Sequence, residues 1–148
     1  MIGRNPWLIM AGCGSLAAAL VHLACIAGGP GWYRALGAGE RMAVAAERGS
    51  SAPALITAAI AAVLLVWAAY AFSGAGLIGR LPLLRVGLVA ISAVLLLRGA
   101  VLFYPPLLQR PDLTTGFLIW SSTVVIVLGL LYAIGTWQMW NALSKGTV

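Results

Sequence analysis

Residues 7–27 read WLIMAGCGSLAAALVHLACIA, an unbroken apolar run with no charged position. A helix rising 1.5 Å per residue needs about 20 such residues to cross a hydrocarbon core of about 30 Å, and this run meets that length. It is too long for the apolar segment of a signal peptide, about 7–15 residues, and the chain beyond it leads to another apolar run. The stretch is therefore read as a membrane span. Gly28-Gly29-Pro30-Gly31 supplies its expected stop.

Three more runs follow, at 54–72, 82–104 and 115–137. Pro53 and Pro82 stand where a first-turn proline suits a helix start, Ser50, Ser51, Thr114 and Thr115 are candidate caps, and Pro105-Pro106 closes the third run. Only SGAGLIGR separates the second and third runs, so these pair as an antiparallel hairpin. The expected fold is all-α: one integral membrane four-helix bundle over residues 1–148, with loops too short for a second domain. Composition agrees, with 62% hydrophobic and 8% charged residues and a mean hydropathy of +1.02.

The longest stretch between spans, WYRALGAGERMAVAAER at 32–48, places Glu40, Arg41, Glu47 and Arg48 on one side of a helix and Met42, Ala45 and Ala46 on another. That pattern predicts a short amphipathic interfacial helix between spans 1 and 2. The net charge of +6 comes from single basic residues at segment ends, not from a patch, which argues against a nucleic-acid partner and for topology signals. One side carries Arg4, Arg80, Arg85 and Lys145 with no acid. The other carries Arg34, Arg41, Arg48 and Arg110 beside Glu40, Glu47 and Asp112. Basic residues at span ends with no acid among the segments on their side favour the cytoplasm, so both termini are expected there.

Polar residues inside spans are costly and face a partner. His22 lies six residues before Gly28, and Arg98 six before Tyr104. Each falls about 9 Å below the same surface. Thr57, Ser121, Ser122 and Thr123 lie at similar depth in the other two spans. The candidate site is thus an outer-leaflet polar pocket formed by His22, Arg98, Thr57, Ser121 and Ser122, roofed by Tyr33, Glu40 and Glu47. Arg98 would anchor an anion or carbonyl, and His22 would give or take a proton. The alternative is that Arg98 snorkels to the surface or pairs with Glu40 or Glu47. Ala11, Ser15, Ala18 and Ala19 form a small-residue stripe below His22, read as a close-packing seam. Cys13 and Cys25, about 18 Å apart on one helix, cannot bridge and are read as buried apolar residues.

No span contains Asp or Glu, there is one histidine, and Cys-x-x-Cys, P-loop and nucleophile-elbow patterns are missing. No metal or cofactor is expected. The function expected first is non-catalytic: an accessory subunit of a larger membrane complex, or a binder of a lipophilic small molecule. The alternative is a membrane-embedded enzyme acting on a lipid or amphiphile, with Arg98 as anchor and His22 as acid or base.

Two resemblances bear on this. Glu40-Arg41 ahead of the second span resembles the Glu-Arg opening the second-helix motif of the membrane-associated eicosanoid and glutathione metabolism proteins. The match ends there, because Ala46 and Glu47 replace that motif's histidine and asparagine, and no residue role is carried over. The segments GGPGWYRALGAGERMA, SGAG, LPLLR and LLRG resemble those of small four-span inner-membrane proteins of Gram-negative bacteria. This second resemblance implies a bacterial inner membrane and no particular chemistry.

The charge distribution makes a direct prediction: topology reporters fused after Arg85 and Lys145 report the cytoplasm, and those after Arg48 and Arg110 the opposite side. Reversal at all four positions would overturn the orientation.

Overall fold

The computed structural model describes residues 4–104 and 115–144. Among them the chain is entirely helical: α1 (Pro6–Ala35), α2 (Glu40–Glu47), α3 (Ala52–Gly74), α4 (Leu84–Gly99) with a 3-10 turn at Ala100–Phe103, α5 (Thr115–Gln138) and α6 (Trp140–Ser144). Four of these, with α4 counted through Phe103, are long and apolar enough to cross a membrane, and each buries only 28% of its most apolar stretch. Large side chains such as Leu55, Val86, Leu97 and Trp137 point outward. Exposing this much apolar surface is unfavourable in water, which is why the outer surface calls for a lipid-like environment.

The first helix departs from expectation. Gly28-Gly29-Pro30-Gly31 does not end it: Gly29 leaves the helical region at φ 67° and ψ −152°, and helical backbone resumes through Ala35. Pro30 cannot donate a backbone hydrogen bond and fits the start of the renewed turn, so the four residues make a kink rather than a stop. The helix predicted over 32–48 is correspondingly shorter, Glu40–Glu47, with Gly37 and Gly39 both at positive φ in the turn before it. At the next turn Ser50 Oγ accepts from the Ala52 amide at 3.3 Å. Pro82 stands ahead of α4 instead of inside its first turn, because Leu83 adopts left-handed backbone at φ 51°. Thr115 opens α5, while Thr114, Pro105-Pro106, Arg110, Asp112 and Lys145 lie outside the described residues.

Around the bundle the order is α1, α3, α4, α5, with α1 packed chiefly on α3 and α4 on α5. The α1 stripe is a seam: Ala11, Ser15 and Ala19 are fully buried. Close approach is visible where Gly12 meets Phe72, Gly135 meets Leu8 and Gly99 meets Ile126. Cys25 is buried as expected, but Cys13 is exposed, its position falling off the seam. The α3–α4 turn is held by Ser73, whose hydroxyl donates to the Gly79 carbonyl and accepts from the Leu81 amide, both at 2.9 Å.

Deep in the bundle, the fully buried Tyr132 of α5 donates its hydroxyl proton to the Trp67 carbonyl of α3 at 2.9 Å. Its oxygen is 2.8 Å from Ser15 Oγ of α1, and with the tyrosine proton committed, Ser15 is the donor. Three helices therefore meet at one hydroxyl. Tyr132→Phe should cost about 1–2 kcal/mol by thermal unfolding in detergent. A cycle with Ser15→Ala should show coupling, and additive effects would remove the network's role.

Candidate functional site

At the α2 end of the bundle, the most conspicuous electrostatic feature involves Arg34. Its guanidinium takes Glu40 side-on, with Nη2 to Oε1 at 2.7 Å and Nε to Oε2 at 2.9 Å, and takes Glu47 through Nη1 at 2.6 Å. Glu40 and Glu47 lie seven residues apart on α2, two turns along one face. The turn through Gly37 and Gly39 brings Arg34 back across both. All three side chains are substantially exposed, so the pairs are worth little singly. Together they tie α2 to the end of α1. Beneath the clamp, Tyr33 is buried with Cys25 and Ala43, and Met42 and Ala46 pack against them. Phe117 of α5 lies over Gly37, where a Cβ would not fit.

This arrangement changes the expected position of three residues. Glu40 and Glu47 are held by Arg34 and not by Arg98, and Tyr33 is a packing residue of the α1–α2 cluster instead of a pocket roof. Arg98 is exposed, and among the described residues its hydrogen bond goes to Ser122 Oγ at 3.3 Å. Gly99 against Ile126, with Gly129 against Leu95 and Leu96, sets a register in which the Arg98 backbone is level with about Val127. Ser122 is about five residues nearer the start of α5, about 7 Å along the axis. The side chain thus runs outward along α5, as a snorkelling arginine does. Its apolar stem follows the helix while its head approaches the surface.

The remaining polar residues share a depth without sharing contacts. Asn5 bonds Gln138 at 3.0 Å and Ser15 meets Tyr132, a register that carries His22 to the level of Ser121 and Ser122. Gly12 against Phe72 sets Thr57 about one turn further toward the α2 end. Ser122 and Thr57 are buried, while His22 is half-buried. Ser121 and Thr123 donate back to the carbonyls of Leu118 and Ile119. His22 Nδ1 lies 2.7 Å from the Ala18 carbonyl, which can only accept, so Nδ1 carries the proton and Nε2 offers a lone pair when the ring is neutral. Two surface concavities are formed elsewhere: one by Glu40, Arg41, Val44, Ala45, Arg48 and Ser50 along α2, the other between α4, α5 and α6. Neither is lined by His22 or Arg98.

Among the described residues, no three His, Cys, Asp or Glu side chains converge on a possible metal position. Arg34 escaped the sequence reading because its partners are six and thirteen residues away across a glycine turn, a spacing that belongs to no single helix. Comparison with protein-family models, curated proteins and solved structures gave no match.

The hydrogen bonds from Arg34 hold the Glu40 and Glu47 carboxyls below their ordinary value of 4.5. A carboxyl lowered in the folded state stabilises it above the unfolded value and loses that contribution as pH falls through the lowered one. Unfolding temperature in detergent should therefore hold steady from neutral pH down to about 5 and decline below about 4.5. Glu40→Gln with Glu47→Gln should flatten that acid limb, and parallel decline of variant and wild type would deny the clamp a stabilising role.

Proposed function

We propose that this chain is a non-catalytic, multi-pass protein of the bacterial inner membrane with both termini cytoplasmic and α2 lying in the interface. It binds a lipophilic molecule with an anionic or carbonyl head group at the α2 end, alone or as an accessory subunit of a larger complex. The observation carrying this reading is Arg98: an exposed guanidinium, set on an apolar helix and turned toward the surface, with Ser122 beside it. Both carboxylates of α2 are occupied by Arg34, so they do not neutralise Arg98. A cation in that position recruits an oxygen-bearing head group while the surrounding apolar surface accepts the rest of the molecule.

A second reading, an enzyme acting on a lipid or amphiphile, has one specific observation in its favour. The Ala18 carbonyl holds the His22 tautomer that leaves Nε2 able to accept a proton, at the depth of Ser121 and Ser122. Against it, no hydrogen bond between His22 and Arg98 or Ser122 joins an acid–base group to the anchor among the described residues.

The test is the amphiphile that copurifies after gentle detergent extraction, measured by solvent extraction and native mass spectrometry. Arg98→Gln should lower its retention about tenfold, the equivalent of one charge-assisted hydrogen bond, while the unfolding temperature stays near wild type. Unchanged retention would overturn the anchor. Turnover of an amphiphile by the wild type that is lost in a folded His22→Ala variant would assign catalysis instead.

A further inference from the structure

The face of α2 turned away from the bundle carries two arginines that take no part in the Arg34 clamp. Ala43, Met42 and Ala46 pack inward, while Arg41 and Arg48 are exposed. Seven residues at 3.6 per turn bring a helix back to within about 20° of its starting direction, about 10.5 Å further along. Arg41 and Arg48 therefore leave the helix on the same side, two turns apart. Val44 and Ala45 lie half-buried between them, and with Glu40 and Ser50 these residues line a concavity of about 450 Å³. That volume lies within the range of small-molecule sites.

The carboxylates here already have a partner. Glu40 and Glu47 both accept from Arg34, and among the described residues neither Arg41 nor Arg48 takes part in an ion pair. Three arginines against two glutamates leave α2 and the end of α1 with a net positive charge. Ser50 adds a donor, because its oxygen accepts from the Ala52 amide and its proton is left for a ligand. Apolar surface begins close by. Leu55, 67% exposed, and Ile56, 51% exposed, stand within the first two turns of α3, five and six residues beyond Ser50.

We infer that this face of α2 binds an acidic glycerophospholipid, its phosphate held by Arg41 and Arg48 with Ser50 as a further donor, and its acyl chains beside the exposed start of α3. The inference rests on the interfacial placement of α2 proposed above, but not on the Arg98 anchor. Guanidinium groups match phosphate oxygens in charge and in bidentate geometry. The net positive charge selects an anionic head over a zwitterionic one. A free phosphate would gain the same polar contacts and nothing from Val44, Ala45 or the apolar surface of α3, so the occupant is a lipid.

The experiment is native mass spectrometry of the full-length protein equilibrated in detergent with equal amounts of phosphatidylglycerol and phosphatidylcholine. Wild type should retain phosphatidylglycerol at least about fivefold over phosphatidylcholine, the factor expected from one unit of basic charge near a bilayer surface. Arg41→Gln with Arg48→Gln should abolish the preference, and Arg41→Lys with Arg48→Lys should keep most of it. Val44→Glu, which sets a carboxylate one turn from each arginine, should abolish it as well. Arg98→Gln should leave it intact, and excess soluble glycerol phosphate should displace no lipid. Absence of a preference in wild type would overturn the proposal, as would a preference that survives the double glutamine variant. Loss of preference with Arg98→Gln would also overturn it and assign the lipid to the Arg98 anchor, while displacement by glycerol phosphate would assign the site to a free phosphate instead. Should the double glutamine variant fail to fold, a wild-type preference in Val44→Glu would overturn it equally.

Discussion

The hydroxyl of Tyr132 is the point on which the bundle is registered. Helices with uniformly apolar surfaces can slide and rotate on one another at small cost, because one leucine contact resembles the next. A hydrogen bond from Tyr132 to a backbone carbonyl of α3, with Ser15 of α1 donating to the same oxygen, is satisfied at one height only. Leaving those groups unpaired in an apolar interior is the costly alternative. With α1, α3 and α5 fixed, Asn5 meets Gln138 at one end and His22 comes level with Ser121 and Ser122 toward the other. Asn5 also caps the Leu8 amide through Oδ1 at 3.0 Å, so one side chain serves both the start of α1 and its alignment with α5.

The two ends of this registered bundle use arginine in different ways. At the α2 end Arg34 is spent on two carboxylates and organises a turn, while Arg98 extends along α5 toward the surface. At the α6 end Arg80 satisfies carbonyls at the close of a helix, and Arg85 is laid on an indole ring. Carbonyls and ring faces hold a guanidinium in place without cancelling its charge, whereas carboxylates cancel it. The Arg34 charge is thus cancelled where it stands, whereas the carbonyls that hold Arg80 leave its charge in place.

Much of the fold was legible in the sequence because span length and charge exclusion are one-dimensional properties. The runs at 54–72 and 115–137 lie within α3 and α5, and a common depth for His22 and the α5 serines follows from counting residues. Contacts that depend on a change of direction were not legible. The kink at Gly29 sends the chain onward as helix, Gly37 and Gly39 fold α2 back, and only then does Arg34 meet Glu40 and Glu47. Arg98 has a depth readable from the sequence, but its direction depends on where Ser122 falls in the α4–α5 register, which the glycines at 99 and 129 set. Tyr132 gave no signal of its own, since an aromatic residue within a span reads like any other large apolar side chain.

The break at Gly29 has a consequence for the thickness of bilayer this bundle suits. A straight helix of 30 residues would run about 45 Å, half as long again as a hydrocarbon core of about 30 Å. Cut at Gly29, the straight part of α1 is about as long as α3 and α5, at 23 and 24 residues. The apolar belts of these helices then match without any of them tilting strongly or the lipid stretching around one long member. The excess becomes a separate helical segment through Ala35, fixed by the buried Tyr33 and by Arg34 on Glu40 and Glu47, so the length beyond the span serves to dock α2.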